Sequence, residues 1–210
     1  MALTKIIYNR YLDWKKNIYP NEEKLYKYLA KNGQKPKAMI ISCCDSRVNP
    51  TNIFKGEPGD YFIYRNIANL VPPKSLNKNS DSTLAFIEYG VNVLKIEDLI
   101  ILGHSNCGGI KHAHSIFSKE IKTNDSNVDN WIDHIRPAYQ KLDKDQDKNQ
   151  CLKSLEQLSI LNSISNLINS PEINELILNK RLNIHGVWFD IESGKIKYLD
   201  EKTGKFENVY

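Results

Sequence analysis

The sequence predicts a single α/β domain over residues 1–210, with a mainly parallel central sheet flanked by helices. Two short apolar runs, 38–41 and 98–102, have the composition of buried parallel strands. Segments with helical spacing of apolar residues surround them. Both runs end in small and polar residues, as strands do where an open α/β sheet places its site. The length of 210 residues is enough for one domain with a buried core.

The first 33 residues predict an N-terminal helical arm in front of the sheet. Apolar and aromatic residues recur at near-helical spacing over 3–19, and Pro20 is expected to stop that helix. A second helix is predicted over 21–31, with Asn21 as its N-cap. Such an arm either caps the core of its own chain or wraps a partner subunit.

The middle of the chain alternates between strand and helix patterns. The predicted strands are 37–42, 61–64 and 98–102, and the predicted helices are 49–54, Ser80 or Asp81 to about Leu94, and Gly109 to Ile116. Pro50 suits the first turn of the short helix. Pro72 and Pro73 are expected to keep a loop over 68–79 extended.

The last third predicts helices followed by a C-terminal edge hairpin. Its elements are a polar loop over 119–130, a helix over 131–142, an exposed segment over 143–149, helices over 151–169 and 171–179, and strands over 182–189 and 196–199. The two strands are joined by a turn at 192–195, which makes them a hairpin.

Composition and charge exclude several classes of function. The net charge is +4 and the lysines are scattered rather than striped, so nucleic acid is not an expected partner. No apolar run approaches the length of a membrane span, and the start of the chain lacks a signal-type segment. We therefore expect a cytosolic location. The four cysteines do not form the pattern of a disulfide framework, and Cys151 is expected to be a small core residue.

Two short stretches, 42–47 and 103–109, together indicate a metal site. If their strands are neighbours, Cys43, His104 and Cys107 converge on one metal. Two thiolates and one imidazole suit Zn²⁺ and leave a fourth position for water or substrate. His104 and Cys107 are spaced so that a first helical turn puts both on one side. The alternative is that the cysteines are buried packing thiols.

Asp45 and Arg47 are predicted to form a catalytic pair beside this metal. Zinc lowers the pKa of a bound water from about 15.7 to about 7. Asp45 follows Cys43 closely enough to accept a hydrogen bond from that water and orient it. A bidentate pair with Arg47 would keep Asp45 ionised and fix its direction. The alternative is an ordinary local salt bridge.

At these residues the chain resembles the β-class carbonic anhydrases. Residues 43–47 match the family's Cys-x-Asp-x-Arg and residues 104–107 its His-x-x-Cys, and the resemblance runs from about Gln34 to Asp190. It implies a carbonate dehydratase, a lyase that reversibly hydrates carbon dioxide to bicarbonate and a proton. Zinc-bound hydroxide, oriented by the Asp-Arg dyad, is the implied nucleophile. A homodimer or dimer of dimers, with the N-terminal helices wrapped around the partner, is also implied.

The resemblance further implies a substrate pocket. Phe62, Ile67 and Tyr89 match the family's pocket wall, and the backbone N–H of Gly108 matches one donor to the substrate. Gln34 matches a glutamine whose amide touches a substrate oxygen in the plant-like branch. In that branch the equivalents of Gln34, Phe62 and Tyr89 come from the second subunit. Taken alone, the two aromatic residues would be core residues and Gln34 a loop amide.

The chain departs from the branch that bicarbonate regulates. That branch holds bicarbonate with a Trp, an Arg and a Tyr, whereas Ile40 and Phe189 stand at the Trp and Tyr positions here. An isolated Arg65 lacks the two partner donors, so we expect this regulatory site to be absent. Arg65 is instead expected to pair with a carboxylate of its own chain or of its partner.

Other readings remain open. A related enzyme could hydrolyse carbonyl sulfide or carbon disulfide on the same scaffold. A protein of another class would hold structural zinc or act as a thiol redox sensor, with Asp45 or Cys44 as a permanent fourth ligand. Cys44 stands where the family often has serine and is oxidation-prone if exposed. The histidines at 112, 114 and 134 are either proton shuttles or ordinary surface residues, and His185 is expected to be structural.

Overall fold

The computed structural model describes residues 3–74 and 82–209. Its strands are β1 (Ala38–Cys43), β2 (Tyr61–Asn66), β3 (Asp98–His104), β4 (Asn183–Phe189), β5 (Ile196–Leu199) and β6 (Phe206–Asn208). Its helices are α1 (Lys5–Asn17), α2 (Tyr19–Asn32), α3 (Pro50–Ile53), α4 (Ser82–Asn92), α5 (Gly108–Phe117), α6 (Asn127–Ile132), α7 (Arg136–Gln140), α8 (Lys148–Ile168) and α9 (Pro171–Leu178).

One six-stranded sheet, in the order β2-β1-β3-β4-β5-β6, organises the chain. The first four strands in that order run parallel, and β5 and β6 are antiparallel. The predicted α/β fold with a mainly parallel sheet is confirmed. Because β1 pairs with β3, with Ser42 opposite Leu102, the carboxyl ends of these two strands lie side by side.

Side chains of the central strands point alternately to the two faces of the sheet, and both faces are buried. Met39 and Ile41 of β1 belong to one core cluster, which includes residues of α4, α8 and α9. Ile40 belongs to a second cluster with Val187 of β4. Successive side chains of a strand point to opposite faces, so a run that is apolar at every position indicates burial on both sides.

The N-terminal helices differ from the prediction at their junction. Helix α2 begins at Tyr19, and Pro20 stands in its first turn instead of ending α1. A proline fits there because the first turn of a helix leaves its N–H groups unpaired. Asn21 therefore lies inside α2, and its prediction as an N-cap was wrong. The two helices contact each other through Trp14, whose ring lies 5.3 Å from that of Tyr19.

The predicted helix over 131–142 is three short pieces. Helix α6, a 3-10 turn at Asp133–Ile135 and helix α7 follow one another, and Pro137 lies in the first turn of α7. A proline inside a continuous helix would lose a backbone hydrogen bond, so the chain restarts there. The predicted loop over 119–130 was wrong in its last residues, because a capping box of Ser126 and Asp129 starts α6.

The C-terminal hairpin is present and carries one more strand than predicted. β6 pairs antiparallel with β5, with Phe206 opposite Leu199. The turn before β6 contains Gly204 at φ 66°, a left-handed conformation that glycine tolerates. The prediction missed β6 because the strand is only three residues long.

Two further sequence predictions concern the loop before α4 and membrane helices. The predicted loop over 68–79 begins in a 3-10 turn at Ile67–Asn69. Its last residues and the predicted cap at Ser80 or Asp81 lie outside the described residues. Within 3–74 and 82–209, no helix combines the length and apolar character needed to cross a membrane.

Candidate metal centre

Neighbouring strands bring the three predicted ligands together. Cys43 is the last residue of β1, and His104 is the last residue of the adjacent β3. Cys107 precedes α5 as its N-cap. The exposed fractions of the three residues are 5%, 1% and 1%, so all three side chains are withdrawn from solvent. The sheet thus fixes two of the side chains, and the start of α5 fixes the third.

The geometry of this group fits a tetrahedral metal ion. The candidate ligand atoms all lie within 4.8 Å of one another, and the two Sγ atoms are 3.9 Å apart. Two sulfur ligands at about 2.3 Å from a tetrahedral zinc would be roughly 3.8 Å apart. In the described part of the chain, this is the one cluster of three His, Cys, Asp or Glu side chains with metal-binding spacing.

His104 presents one ring nitrogen to the same position. Its Nδ1 lies 2.9 Å from the backbone oxygen of Ser105, and since a carbonyl only accepts, we assign the proton to Nδ1. That assignment leaves a lone pair on Nε2, which is buried and has no hydrogen-bond partner. A buried polar atom without a partner is costly. A metal ion between the thiols would satisfy it, so the residues present fit the group.

The two thiols are electrostatically coupled. The pKa of Cys43 is lowered, chiefly because the Cys107 thiol donates a hydrogen bond to it. The pKa of Cys107 is raised by that same bond to Cys43 and by burial. Two thiolates this close repel each other. Full ionisation of the pair therefore needs a cation between them.

Asp45 and Arg47 form the predicted bidentate pair. The Arg47 Nε and Nη2 atoms donate to Asp45 Oδ1 at 2.9 Å and Oδ2 at 2.7 Å, and the Arg47 backbone N–H adds a bond of 3.0 Å to Oδ1. The Arg47 side chain thereby holds the pKa of Asp45 well below its usual range. Oδ2 also lies 4.0 Å from His104 Nε2, which aims the carboxylate at the metal position.

Arg47 links the two loops of the site. Its Nη2 also donates to the backbone oxygen of Asn106 at 3.1 Å. Asn106 belongs to the loop between His104 and Cys107, and it has a positive φ of 58°, which asparagine adopts more readily than most residues. The guanidinium therefore connects the loop after β1 to the loop after β3.

Arg65 does not do what the sequence suggested. It donates to the backbone oxygens of Cys43, at 2.9 and 2.8 Å, Asp45, at 2.8 Å, and Val48, at 2.7 Å. Across 3–74 and 82–209, these bonds are not accompanied by an ion pair with a carboxylate. Among the described residues of its own chain Arg65 binds backbone oxygens instead of a carboxylate, and a pairing with a carboxylate of the partner stays a prediction.

Glu156 is a site residue that the sequence analysis missed. It lies on α8 with only 4% of its surface exposed, and burial raises the pKa of its carboxyl group. Oε1 accepts a hydrogen bond from the backbone N–H of Cys107 at 3.3 Å, and Oε2 accepts one from Trp188 Nε1 at 3.1 Å. A glutamate beside Leu155 on the apolar side of a long amphipathic helix was the available signal.

Two of the predicted pocket residues, Gly108 and Ile67, lie at the carboxyl end of the sheet, where the candidate ligands are. Gly108 begins α5, and a Cβ built there would meet no atom within 4 Å, so space is open in front of it. Ile67 is 38% exposed, and a Cβ on Gly109 would lie 2.8 Å from its Cγ2. Trp131 Nε1 donates to the Ile67 oxygen at 2.9 Å, which holds this segment against α6.

The other three predicted pocket residues are not brought to this metal position by their own chain. Phe62 stacks on Phe86 at 4.6 Å and on Tyr89 at 5.8 Å, and it packs against a different core cluster from that of Cys43. Gln34 is exposed in the segment between α2 and β1. Their predicted role, which requires a second subunit, stays a prediction.

The position of the regulatory site is occupied by apolar packing. Ile40 is fully buried, and Phe189 packs against the same cluster. The expected absence of a bicarbonate-regulated site stays a prediction with this packing in its favour.

Two of the singled-out histidines have carboxylate partners. His112 Nε2 lies 2.8 Å from an oxygen of Asp129, and His185 Nε2 lies 2.9 Å from one of Asp98. Cys151 is buried as expected, whereas Cys44 is exposed. Because Cys44 is exposed, we expect its thiol to be prone to oxidation.

An open α/β sheet that gathers two thiols and one imidazole beyond the ends of two parallel strands has the donor set of a metal-binding α/β protein. A sequence profile of the family described as carbonic anhydrase matches residues 38–196, well over half of the chain. The chain therefore belongs to the carbonic anhydrase family, and its relatives place it in the β class. The resemblance seen in the sequence is confirmed. Carbonic anhydrases are lyases.

The relatives match over nearly the whole chain. Beta carbonic anhydrase 3 of Arabidopsis thaliana is 36% identical over 199 residues, which cover 92% of this chain and 76% of the relative. The carbonic anhydrase of Helicobacter pylori strain J99 is 34% identical over 202 residues, covering 94% and 91%.

Solved structures agree with the fold. The β-carbonic anhydrase CcaA matches with a TM-score of 0.88 at 26% identity, over 98% of this chain and 92% of that one. A tetrameric β-carbonic anhydrase from Sordaria macrospora matches with a TM-score of 0.79 at 33% identity, over 92% and 95%.

Proposed function

We propose that the protein is a zinc-dependent enzyme that reversibly hydrates carbon dioxide to bicarbonate and a proton. Cys43, His104 and Cys107 hold the zinc, Asp45 orients the attacking water, and Arg47 orients Asp45. The observation that carries the proposal is the 4.0 Å approach of Asp45 Oδ2 to His104 Nε2. It places a carboxylate that Arg47 keeps ionised beside the position where three ligand atoms converge.

Zinc is the metal that these donors favour. Two thiolates and one imidazole match its ligand preferences, and three protein ligands are typical of a catalytic rather than a structural site. When bound, zinc lowers the pKa of a water molecule so that hydroxide forms near neutral pH.

The carboxylate of Asp45 orients the attacking water. Because it stays ionised, it only accepts hydrogen bonds, and it therefore takes the proton side of the attacking water and leaves an oxygen lone pair for the substrate. Arg47 holds both carboxylate oxygens, so the carboxylate keeps one orientation. The alternative is a structural zinc site in which Asp45 or Cys44 is a permanent fourth ligand. Such a site performs no reaction and needs no carboxylate aligned by an arginine, so the Asp45–Arg47 pair speaks against it.

The substrate pocket combines two subunits in our proposal. Ile67 forms part of the wall, and the backbone N–H of Gly108 donates to the substrate; a Cβ at Gly108 would meet no atom within 4 Å, which leaves room there. Gln34, Phe62 and Tyr89 of the partner subunit complete it. Carbon dioxide is small and nonpolar, so an apolar wall with one or two donors suits it.

A homodimer, or a dimer of dimers, follows from the N-terminal helical arm (residues 1–33). No residue of α1 or α2 is buried within the chain. They leave large apolar side chains in solvent: Ile6 60%, Tyr8 50%, Tyr11 51%, Leu12 46% and Tyr28 62% exposed. Several large apolar side chains exposed on the same pair of helices are typical of a protein interface, and we propose that a second copy covers them.

We also propose a reducing compartment such as the cytosol. All four cysteines are free, and two of them are required as metal ligands. Fractionation of the source cells with an antibody against the chain tests this, and recovery with secreted proteins would contradict it.

Stopped-flow carbon dioxide hydration, with zinc measured in the same samples, tests the activity. We expect one zinc per chain, loss of turnover when a chelator removes it, and recovery when zinc is returned. Zinc-loaded protein without hydration activity would overturn the proposal. Carbonyl sulfide and carbon disulfide are assayed in parallel, and faster hydrolysis of either would favour the related enzyme instead.

A further inference from the structure

Arg65 occupies an unusual place for a strand arginine. It lies on β2 opposite Ser42 of β1, and its side chain crosses to the loop that follows β1. Its Nε and Nη2 atoms lie 2.7–2.9 Å from the backbone oxygens of Cys43, Asp45 and Val48, and their three N–H groups make four contacts, one of them shared. These three oxygens span the loop that carries one metal ligand and the aligned carboxylate.

The chemistry of the guanidinium makes this arrangement restrictive. Its donors lie in one plane in a fixed fork, so oxygens that bind it must converge at fixed points. The orientation of a backbone oxygen sets the tilt of its peptide plane, because the peptide unit is planar. Arg65 therefore constrains the peptide planes after Cys43 and after Asp45. The direction in which the Asp45 side chain leaves the backbone depends on those planes.

The loop has few other backbone restraints. Cys44 N–H donates to the Asn66 oxygen at 2.9 Å, and Val48 N–H donates to the Asp45 oxygen at 3.0 Å. The Asp45 oxygen thus accepts from both Val48 and Arg65. Arg47 binds the carboxylate of Asp45, whereas Arg65 binds the backbone from which that side chain extends.

We infer that Arg65 is a positioning residue, which sets the backbone of residues 43–48 so that the Cys43 thiol and the Asp45 carboxylate face one metal position. The inference rests on the proposed function for its effect on turnover. Its structural part, the restraint of the loop, stands independently of which reaction the site performs.

Three variants of the full-length zinc enzyme test the effect on turnover: Arg65→Lys, Arg65→Ala and the matched control Arg136→Lys. Arg136 is an exposed arginine at the start of α7, and it pairs with Asp133. In Arg65→Lys we expect full zinc content, an unchanged KM and a kcat lower by about 10- to 100-fold, since misplacement by about 1 Å can cost that much. Free guanidinium at millimolar concentration should restore part of the kcat of Arg65→Ala.

Hydrogen–deuterium exchange provides a readout besides activity. In Arg65→Lys, peptides covering residues 43–48 should exchange faster than in the parent protein, and peptides covering 103–109 should not. Cobalt-substituted protein adds a spectroscopic check, because the absorption bands of Co²⁺ report a change in the ligand field at the Cys43 side of the site.

Several outcomes would overturn the inference. They are an unchanged kcat in Arg65→Lys and Arg65→Ala, an equal fall in Arg136→Lys, or unchanged exchange over 43–48. A parent enzyme without carbon dioxide hydration would remove the proposed function alone. Exchange over 43–48 would still decide whether Arg65 restrains the loop, so the two failures can be told apart. Because Arg65→Lys keeps the charge and most of the side chain, it also covers the case in which Arg65→Ala fails to fold.

Discussion

The carboxyl end of the sheet and the N-terminal helical arm are opposite cases within one chain. At the sheet end, Cys43, His104 and Cys107 are at most 5% exposed, and side chains from several elements hold the two ligand loops. In the arm, the described helices bury none of their residues, and Ile6 is 60% exposed. One chain therefore brings Cys43, His104 and Cys107 together by itself, whereas in our proposal the arm and part of the pocket need a second subunit.

This comparison separates two kinds of dependence. Removal of a group at the sheet end should abolish metal binding or chemistry without changing assembly. Removal of apolar surface in the arm should change assembly without changing the ligand set.

Loss of a metal ligand should have the largest effect. We expect Cys107→Ala to lose most of its zinc and its carbon dioxide hydration activity. Groups that merely support a ligand are commonly worth about 10- to 100-fold in metal affinity, so a ligand itself should be worth more. Zinc per chain, measured by atomic absorption after exhaustive dialysis, checks this.

Cys151→Ala is the control for that variant, because Cys151 is a buried thiol on α8 that lies outside the ligand group. It should keep its zinc. Full zinc occupancy in purified Cys107→Ala would contradict the ligand assignment.

Loss of the oriented carboxylate should be next in size. Asp45→Asn should keep zinc but lose about a hundredfold or more in kcat, the size typical of a positioned acid–base or orienting group. The amide presents one acceptor oxygen instead of two and cannot hold Arg47 as an ion pair. Asp133→Asn, which breaks an exposed pair with Arg136, is the control. Near-normal turnover of Asp45→Asn would mean that Asp45 is only a salt-bridge partner.

The arm should show an intermediate effect, of a different kind. Ile6→Glu should weaken dimerisation by about tenfold or more, since burial of an isoleucine side chain is worth about 1.5–3 kcal/mol. Turnover should fall with the dimer, and zinc per chain should stay unchanged. Sedimentation velocity over a range of protein concentrations measures the association, and Lys5→Glu on the same helix is the control. A monomeric parent enzyme with full activity would refute the two-subunit pocket.

The smallest effect should come from the contact between His112 on α5 and Asp129 on α6. Hydrogen bonds from His112, and from backbone N–H groups such as that of Asn124, hold the pKa of Asp129 below its ordinary value of 3.8. A carboxyl group with a depressed folded-state pKa contributes stability above its unfolded pKa, and that contribution disappears as the pH falls toward the folded value.

Asp129→Asn should therefore lower the melting temperature slightly at pH 7 and flatten its decline below about pH 4. Melting curves between pH 7 and pH 2.5 on zinc-loaded protein measure both effects. Identical acid limbs for the parent and Asp129→Asn would contradict the prediction, and zinc content at pH 7 should be equal in the two.

The parts of the molecule that the sequence predicted well rest on local patterns. The two central strands, β1 and β3, follow from short apolar runs, which indicate burial on both faces. The ligand group and the Asp45–Arg47 pair follow from residue types at close spacing, where the chain itself keeps the groups near each other. The predictions failed where the local signal fits two outcomes or is too short to read. Pro20 was taken as a stop although it also fits a first turn, and β6 was too short to show alternation.

What the sequence determined by itself is which side chains can carry the chemistry. Thiols, an imidazole and a carboxylate with an adjacent arginine have those properties wherever they are placed. Only the tertiary structure decided which groups hold them in position. Arg65 binds backbone oxygens, and Glu156 binds a backbone N–H and the indole of Trp188. Every residue type offers the same backbone groups, so no sequence pattern marks which of them an arginine on β2 or a glutamate on α8 will reach.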